Sequence, residues 1–422
     1  MRITKEIFGN IDWISVCLYL FLLSFGWINI YASQYNDDQM ILFDFTQRHG
    51  KQLIFIVVSI LVAFIILIID WKFFETFSYI LYVGIILLLI SVVFWGNETG
   101  GATSWFEIGN YYKFQPSEFA KFIAILALAK YLNTHNIRMQ ARKTKIISFI
   151  IILVPLILII LQNDLGTALV FFSLILVLFR EGLSGNILVF GLVIAALFII
   201  TLLLDKFIFS SIIITIALII FLFFSRRTKK ELIVIISGLA LVISFVFSVN
   251  YIFTKVLSPH HVERIDILLG REIDPQGAGY NLIQSKIAIG SGGFFGKGFL
   301  QGTQTRFDFV PEQSTDFIFC TIGEEWGFFG SLIFISIFIA LLLRLIILAE
   351  KQRSKFCRIY GYGVASILFF HFAINIGMTI GLAPVIGIPL PFISYGGSSL
   401  IGFTTLLFIF LNLDSYRLQI LR

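Results

Sequence analysis

Apolar runs of about 20 residues recur along most of the 422-residue chain, and no other feature constrains its fold as strongly. A helix needs about 20 apolar residues to cross roughly 30 Å of hydrocarbon. Twelve candidate runs stand out: 12–32, 52–70, 76–95, 117–132, 146–161, 165–180, 187–204, 208–225, 231–252, 317–343, 359–381 and 397–413. Several near the middle are short or closely spaced. Composition points the same way. Hydrophobic residues make up 58% and charged residues 13%, about half the roughly 25% of a soluble domain. A soluble fold has no interior that hides so much apolar surface. The reading is an all-α polytopic membrane protein with about 12 transmembrane helices in a single domain, 1–422. The first run, Trp13 to Ile30, is too long for a signal-peptide core and lacks a cleavage site, so it reads as a retained span.

The net charge of +6 does not indicate nucleic-acid binding, because the basic residues lie in short loops between apolar runs. Those loops instead set orientation, since Lys and Arg collect on the cytoplasmic side. One loop holds Arg138, Arg142, Lys143 and Lys145, a second Arg226, Arg227, Lys229 and Lys230, and a third Lys351, Arg353, Lys355 and Arg358; the tail adds Arg417 and Arg422. All fall on one side only if an even number of spans precedes each. Twelve spans satisfy this, with both termini cytoplasmic. The outer side then receives a long segment, about Phe253 to Asp316, together with Gly96 to Gln115 and the proline-rich Leu382 to Ser398. These are rich in Gly, Pro, Ser and Thr. Irregular backbone at membrane depth survives only inside protein or along a wet cavity, so chemistry is expected here. Cys17 and Cys320 in apolar runs and Cys357 in a basic loop make no disulfide framework.

Within the long outer segment, Asp274 precedes Pro275, with Gly277 close behind. One reading is a turn in which Asp274 bonds its own backbone. The other is a general base beside Arg264 and Arg271, which requires burial or concerted proton transfer, because an unperturbed Asp titrates near 3.9. Asn281 to Ile289 reads as a short helix lying in the interface. The glycine-rich Gly290 to Gly298 resembles a phosphate loop only superficially: Ser291 stands where the pattern needs Gly, and Gly298 follows Lys297 where it needs Ser or Thr. Glycine amides plus Lys297 cupping a lipid diphosphate and a plain re-entrant turn both stand.

Glu118 and Lys121 open the fourth run on one helical face. They read either as an interfacial ion pair with Lys121 snorkelling outward or as functional groups facing a cavity. Glu324 and Glu325 point about 100° apart, which favours structural pairing. Asp164 before Leu165 reads as a helix N-cap, and His371 with Asn375 as inter-helix hydrogen-bonding groups. The remaining histidines show no zinc spacing.

Taken together, these stretches resemble the SEDS family (shape, elongation, division and sporulation), on its RodA-like rather than FtsW-like side. The matching segments are Gly101 to Phe106, Phe114 to Lys121, Gln162 to Ala168, Asp274 to Tyr280, Gln284 to Gly298, Gly302 to Gln304, Pro311 with Glu312, Thr315 to Phe319, Glu324 with Glu325, and Gly387 to Ser398. They run in order over nearly the whole chain, and Gly302 to Gln304 tips the resemblance toward RodA. The family usually has Pro at the place of Asn163. Many members have Asp-Pro at the place of Gly270 and Arg271, and members typically have ten spans. The last departure suggests an inserted helix pair at about 205–250.

The resemblance implies a peptidoglycan glycosyltransferase that polymerises lipid II at the outer face of the bacterial cytoplasmic membrane during elongation. Asp274 in the 253–316 loop would be the catalytic base. Glu118, Lys121, Trp105, Arg264, Gln284, Ser285, Lys286 and Lys297 would bind substrate. A divalent cation, Mg2+ or Mn2+, is admitted beside these cationic side chains. Expected partners are a class B penicillin-binding protein and other membrane proteins of the elongation machinery. A lipid II flippase and a non-catalytic scaffold are the alternatives.

Overall fold

The computed structural model describes residues 9–35, 44–99, 101–108, 112–135, 137–224, 228–251, 253, 255, 259–268, 278–307 and 309–417. Its helices are α1 (Trp13–Ala32), α2 (Arg48–Ile68), α3 (Trp71–Trp95), α4 (Pro116–Asn133), α5 (Arg142–Leu161), α6 (Leu165–Val170), α7 (Leu174–Arg180), α8 (Gly185–Leu203), α9 (Lys206–Ile219), α10 (Lys229–Tyr251), α11 (Pro259–Leu268), α12 (Ala278–Ser291), α13 (Thr303–Arg306), α14 (Ile318–Glu350), α15 (Lys355–Thr379) and α16 (Gly397–Ser415). Ten helices among the described residues are long and apolar enough to cross a bilayer. The other two of the twelve apolar runs are also helical but carry charge or an interruption. One is α4, whose 18 residues carry Glu118, Lys121 and Lys130; the other is Leu165–Arg180, short and interrupted by a 3-10 turn at Phe171–Ser173.

The chain divides into two compact units, Met1–Leu183 with Tyr280–Arg422, and Ser184–Gly279. In the first, α4 is the hub and packs on α3, α5, α15 and α16. The reason is the cost of ionisable groups in lipid, which drives such residues toward the bundle interior. Enclosure follows polarity: 78% of the membrane-spanning stretch of α16 is buried, against 11% for the more apolar stretches of α8 and α10. The second unit holds α8 to α11, and Leu202, Val249 and Phe253 form its small core. The span of about 205–250 read as an insertion lies inside it.

One correction concerns Gly96 to Gln115. It is not wholly irregular. Strands β1 (Asn97–Thr99), β2 (Ala102–Ile108) and β3 (Tyr112–Phe114) make a small antiparallel sheet in the order β1-β2-β3, so the fold is helical with one three-stranded cap. Thr103 N–H donates to the Gln162 carbonyl at 2.9 Å, tying the cap to the end of α5. A second correction is Cys357, which sits buried inside α15 rather than in a loop.

The helix α14 is broken at Gly327, where φ is 64° and ψ −161°. The glycine-rich loop repairs the break. Lys297 and Gly298 N–H donate to the Glu324 and Glu325 carbonyls, both at 3.0 Å, while Phe328 and Phe329 N–H reach Gly293 and Phe294 carbonyls at 2.9 and 3.1 Å. Backbone groups freed at membrane depth need such partners. Glycine is required for the approach: a Cβ on Gly296 would stand 2.1 Å from the Glu325 carbonyl oxygen, and one on Gly292 2.1 Å from that of Gly323.

Candidate active site

Helix α4 starts at Pro116 and carries Glu118 in its first turn and Lys121 in its second. The Lys121 ammonium donates to Glu118 Oε2 at 2.7 Å, and each side chain is only 2% exposed. Lys121 therefore does not snorkel. Its Nζ also lies 3.1 Å from His371 Nε2 of α15 and 4.4 Å from the centre of the Phe403 ring of α16. Gly402 lets α16 come close, since a Cβ there would stand 3.3 Å from Glu118 Cβ. Beside this core, Gln115 Nε2 donates to Asp164 Oδ2 at 2.9 Å, and Asp164 Oδ1 accepts from Thr167 N–H at 3.0 Å. Asp164 is thus the N-cap read from the sequence. Burial pushes its carboxyl above the ordinary range, against the downward pull of the Thr167 hydrogen bonds. Asn375 Nδ2 donates to the carbonyls of Asp316 at 2.9 Å and Ile388 at 2.7 Å, pinning the proline-rich segment to α15.

A second cluster surrounds Glu324. Its carboxylate accepts from Thr303, Gln304 and Thr305 N–H at 2.8, 2.9 and 2.9 Å and from Lys297 Nζ at 2.6 Å. Lys297 also donates to Thr303 Oγ1 at 2.6 Å. The cup of amides plus lysine exists, but Glu324 fills it. Of the two readings of the loop, the structure supports the re-entrant turn. Glu325 points elsewhere, is buried, and has one carboxylate oxygen without a hydrogen-bond partner among the described residues.

The described part of the outer segment includes α12, helical as expected, with Ile283, Lys286 and Ile287 on its exposed face. Leu282, Ser285 and Ala288 face inward, with Ser285 Oγ donating to the Thr379 carbonyl at 3.0 Å. Ala288 joins Val310, Phe317 and Cys320 in a small core. Lys286 is on the exposed face beside the turn after α15, where a Cβ on Gly381 would lie 3.7 Å from its Nζ. Gln284 is half-buried on the same helix, and Trp105 is half-buried on β2. Arg264 lies on α11 in the second unit, and Asp274 is outside the described residues. The structure thus bonds Glu118 to Lys121 and places Ser285 and Lys286 together by the end of α15. Trp105 and Lys297 sit elsewhere in the same unit, and Arg264 belongs to the second unit. The sequence reading of His371 and Asn375 as inter-helix hydrogen-bonding groups holds, but nothing in the sequence named Lys121 as the partner of His371. The second unit holds a cavity of about 200 Å³, and its described lining includes none of the candidate residues.

These features define a multi-pass helical membrane protein with an enclosed ionic core, a broken helix and an amphipathic helix set against a proline-rich turn. The family model of the cell cycle proteins FTSW_RODA_SPOVE matches residues 13–208 and 187–419, and the chain belongs to that family. It is 34% identical to the peptidoglycan glycosyltransferase RodA of Treponema pallidum (strain Nichols) over 416 residues, covering 93% of this chain and 94% of the relative. It is 35% identical to the peptidoglycan glycosyltransferase MrdB of Escherichia coli (strain K12) over 331 residues, covering 78% of this chain and 75% of that one. A chain from a solved structure described as the structural coordination of polymerization and crosslinking by a peptidoglycan synthase complex superposes with a TM-score of 0.69. It is 29% identical, with 97% of this chain and 99% of that chain covered. The Thermus thermophilus rod shape determining protein RodA, 24% identical with a TM-score of 0.61 over 96% and 97% of the two chains, shares the fold.

Proposed function

We propose that the chain is a peptidoglycan glycosyltransferase that polymerises lipid II at the outer face of the bacterial cytoplasmic membrane, with both termini cytoplasmic. The observation that carries this reading is similarity over 93% of the chain to a relative bearing that activity in its name. Asp274 takes the proton from the acceptor sugar's 4-hydroxyl. That oxygen attacks the anomeric carbon of the donor, the bond to undecaprenyl diphosphate breaks, and configuration inverts. The leaving diphosphate needs cationic stabilisation. Two of the candidates have carboxylate partners: Lys121 is enclosed with Glu118, and Lys297 is bonded to Glu324. Lys286, exposed on α12, is the candidate whose ammonium faces outward to an anion. Gln284 shares its helix and suits sugar hydroxyls, as does the half-buried Trp105 of β2 through ring stacking. Arg264 is retained as a diphosphate contact. A bound divalent cation, Mg2+ or Mn2+, is the other candidate source of that positive charge. A class B penicillin-binding protein is the activating partner, together with other elongation-machinery proteins.

The deciding experiment gives purified protein and its transpeptidase partner outward-presented lipid II, comparing wild type with Asp274→Asn. Glycan strands from wild type alone support the reading. Equal polymer from both variants removes Asp274 as base, and no polymer from either removes the polymerase reading and favours a scaffold. The break in α14 keeps a flippase in view, because discontinuous helices recur in transporters; a flippase makes no polymer here.

A further inference from the structure

The Glu118–Lys121 pair has a third member that the proposed chemistry does not use. His371 projects from α15 with Nε2 3.1 Å from Lys121 Nζ and Nδ1 3.2 Å from the Pro389 carbonyl oxygen, and it is 1% exposed. A carbonyl oxygen only accepts, so Nδ1 carries the proton. A lysine ammonium only donates, so Nε2 is the bare nitrogen. The imidazole is then neutral and held in one tautomer, between a cation and the backbone of the proline-rich segment. Its ring stands perpendicular to that of Phe403, 4.7 Å between centroids, and the Lys121 ammonium lies over the Phe403 ring as well. Glu118 alone would satisfy one donor of Lys121 and leave the ammonium free to turn about its stem. The second bond fixes it. The bond to Pro389 links that orientation to the segment Gly387 to Ser398, whose Ser394 hydroxyl donates to the Thr315 carbonyl, where the outer segment ends. This path runs through contacts within one unit of the chain.

We infer that His371 is a positioning residue for the glycosyl transfer proposed above, on which this inference rests: it locks the Lys121 ammonium and registers the proline-rich segment against the α4 core. A ring serving only as packing would be replaced by any side chain of similar volume. A positioning ring is replaced only by a group that both accepts from Lys121 and donates to Pro389. Glutamine does both through its carboxamide, and leucine does neither.

The test measures lipid II polymerisation by full-length protein with its transpeptidase partner, together with melting in detergent. His371→Leu should lower kcat about tenfold per folded molecule with KM changed less than about twofold, the signature of lost geometry rather than lost binding. His371→Gln should return kcat to within about threefold of wild type. Full activity in His371→Leu, or a loss that only tracks the folded fraction, overturns the role. So does a His371→Gln variant as impaired as His371→Leu. A separate arm covers the case in which His371→Leu does not fold: nitrogen NMR of 15N-histidine-labelled wild type, assigned with His371→Gln. The expected signal is Nδ1–H with a bare Nε2 that moves in Lys121→Met; an Nε2–H signal overturns the inference without reference to activity. Wild type that makes no polymer removes the transferase reading itself, whereas an active wild type beside an equally active His371→Leu removes only the role of His371.

Discussion

Three lysines that look alike in the sequence carry three different duties, and substitutions separate them. Lys286 is exposed, so Lys286→Ala should raise KM for lipid II about tenfold, roughly 1.4 kcal/mol of binding, and leave the melting temperature nearly unchanged; steady-state polymerisation with a thermal melt reads both. Lys297 is spent on Glu324, so Lys297→Met should lower the melting temperature more than it raises KM. Lys121 is enclosed with Glu118. Removing one partner of a buried pair leaves an uncompensated charge and costs about 3–5 kcal/mol. Lys121→Met should therefore denature at markedly lower temperature, and the double variant Glu118→Gln with Lys121→Met should recover much of the loss. The sequence placed Glu118 and Lys121 on one helical face but could not say which way that face points. His371 lies 250 residues away in sequence and supplies the wall.

At the scale of elements, local pattern settled helices and caps, while breaks and repairs escaped it. Asp164 as N-cap was legible because capping needs only a side chain and the next turn. The repair of α14 by the 292–298 loop was not, because its hydrogen bonds join residues about thirty apart and Gly327 looks unremarkable inside an apolar run. Gly296→Ala should lower stability by well over 1 kcal/mol, since φ there is +79° and the added carbon would collide with the Glu325 carbonyl; a melt of the purified variant checks it. Asn163 adopts φ 59°, a conformation open to Asn and closed to Pro. The departure from the family's usual proline thus marks a turn of different shape. At the start of α1, Asp12 caps Ser15 N–H and pairs with Arg344 of α14. Burial works to raise its carboxyl, but the Arg344 and Ser15 hydrogen bonds outweigh burial and hold it below the ordinary 3.8. A lowered folded value means the contribution is present above about 3.8 and lost as pH falls through the lower value. Asp12→Asn should therefore melt below wild type at neutral pH, with the gap closing in strong acid.

For the whole molecule, the proposed topology sets the loop after α8 outside and the loop before α10 inside. Single cysteines at Asp205 and Lys229, in a background lacking the native three, should separate under a membrane-impermeant thiol reagent. Asp205 should label in intact cells, and Lys229 only after permeabilisation. Labelling of both on one side would break the even-span argument. The long apolar runs predicted the ten clear spans well. The other two runs, α4 and Leu165–Arg180, are helical as well but carry charge or an interruption.

The spans and the family of this protein were written in the sequence, because transfer of apolar side chains from water to hydrocarbon is nearly additive along a segment and needs no knowledge of neighbours. Motif order survives for the same local reason. Only the tertiary structure decided which ionisable groups are shut away and which face outward. Glu118, Lys121, His371, Glu324 and Lys297 find their partners across helices, and burial of a charge depends on what the other helices bring to it.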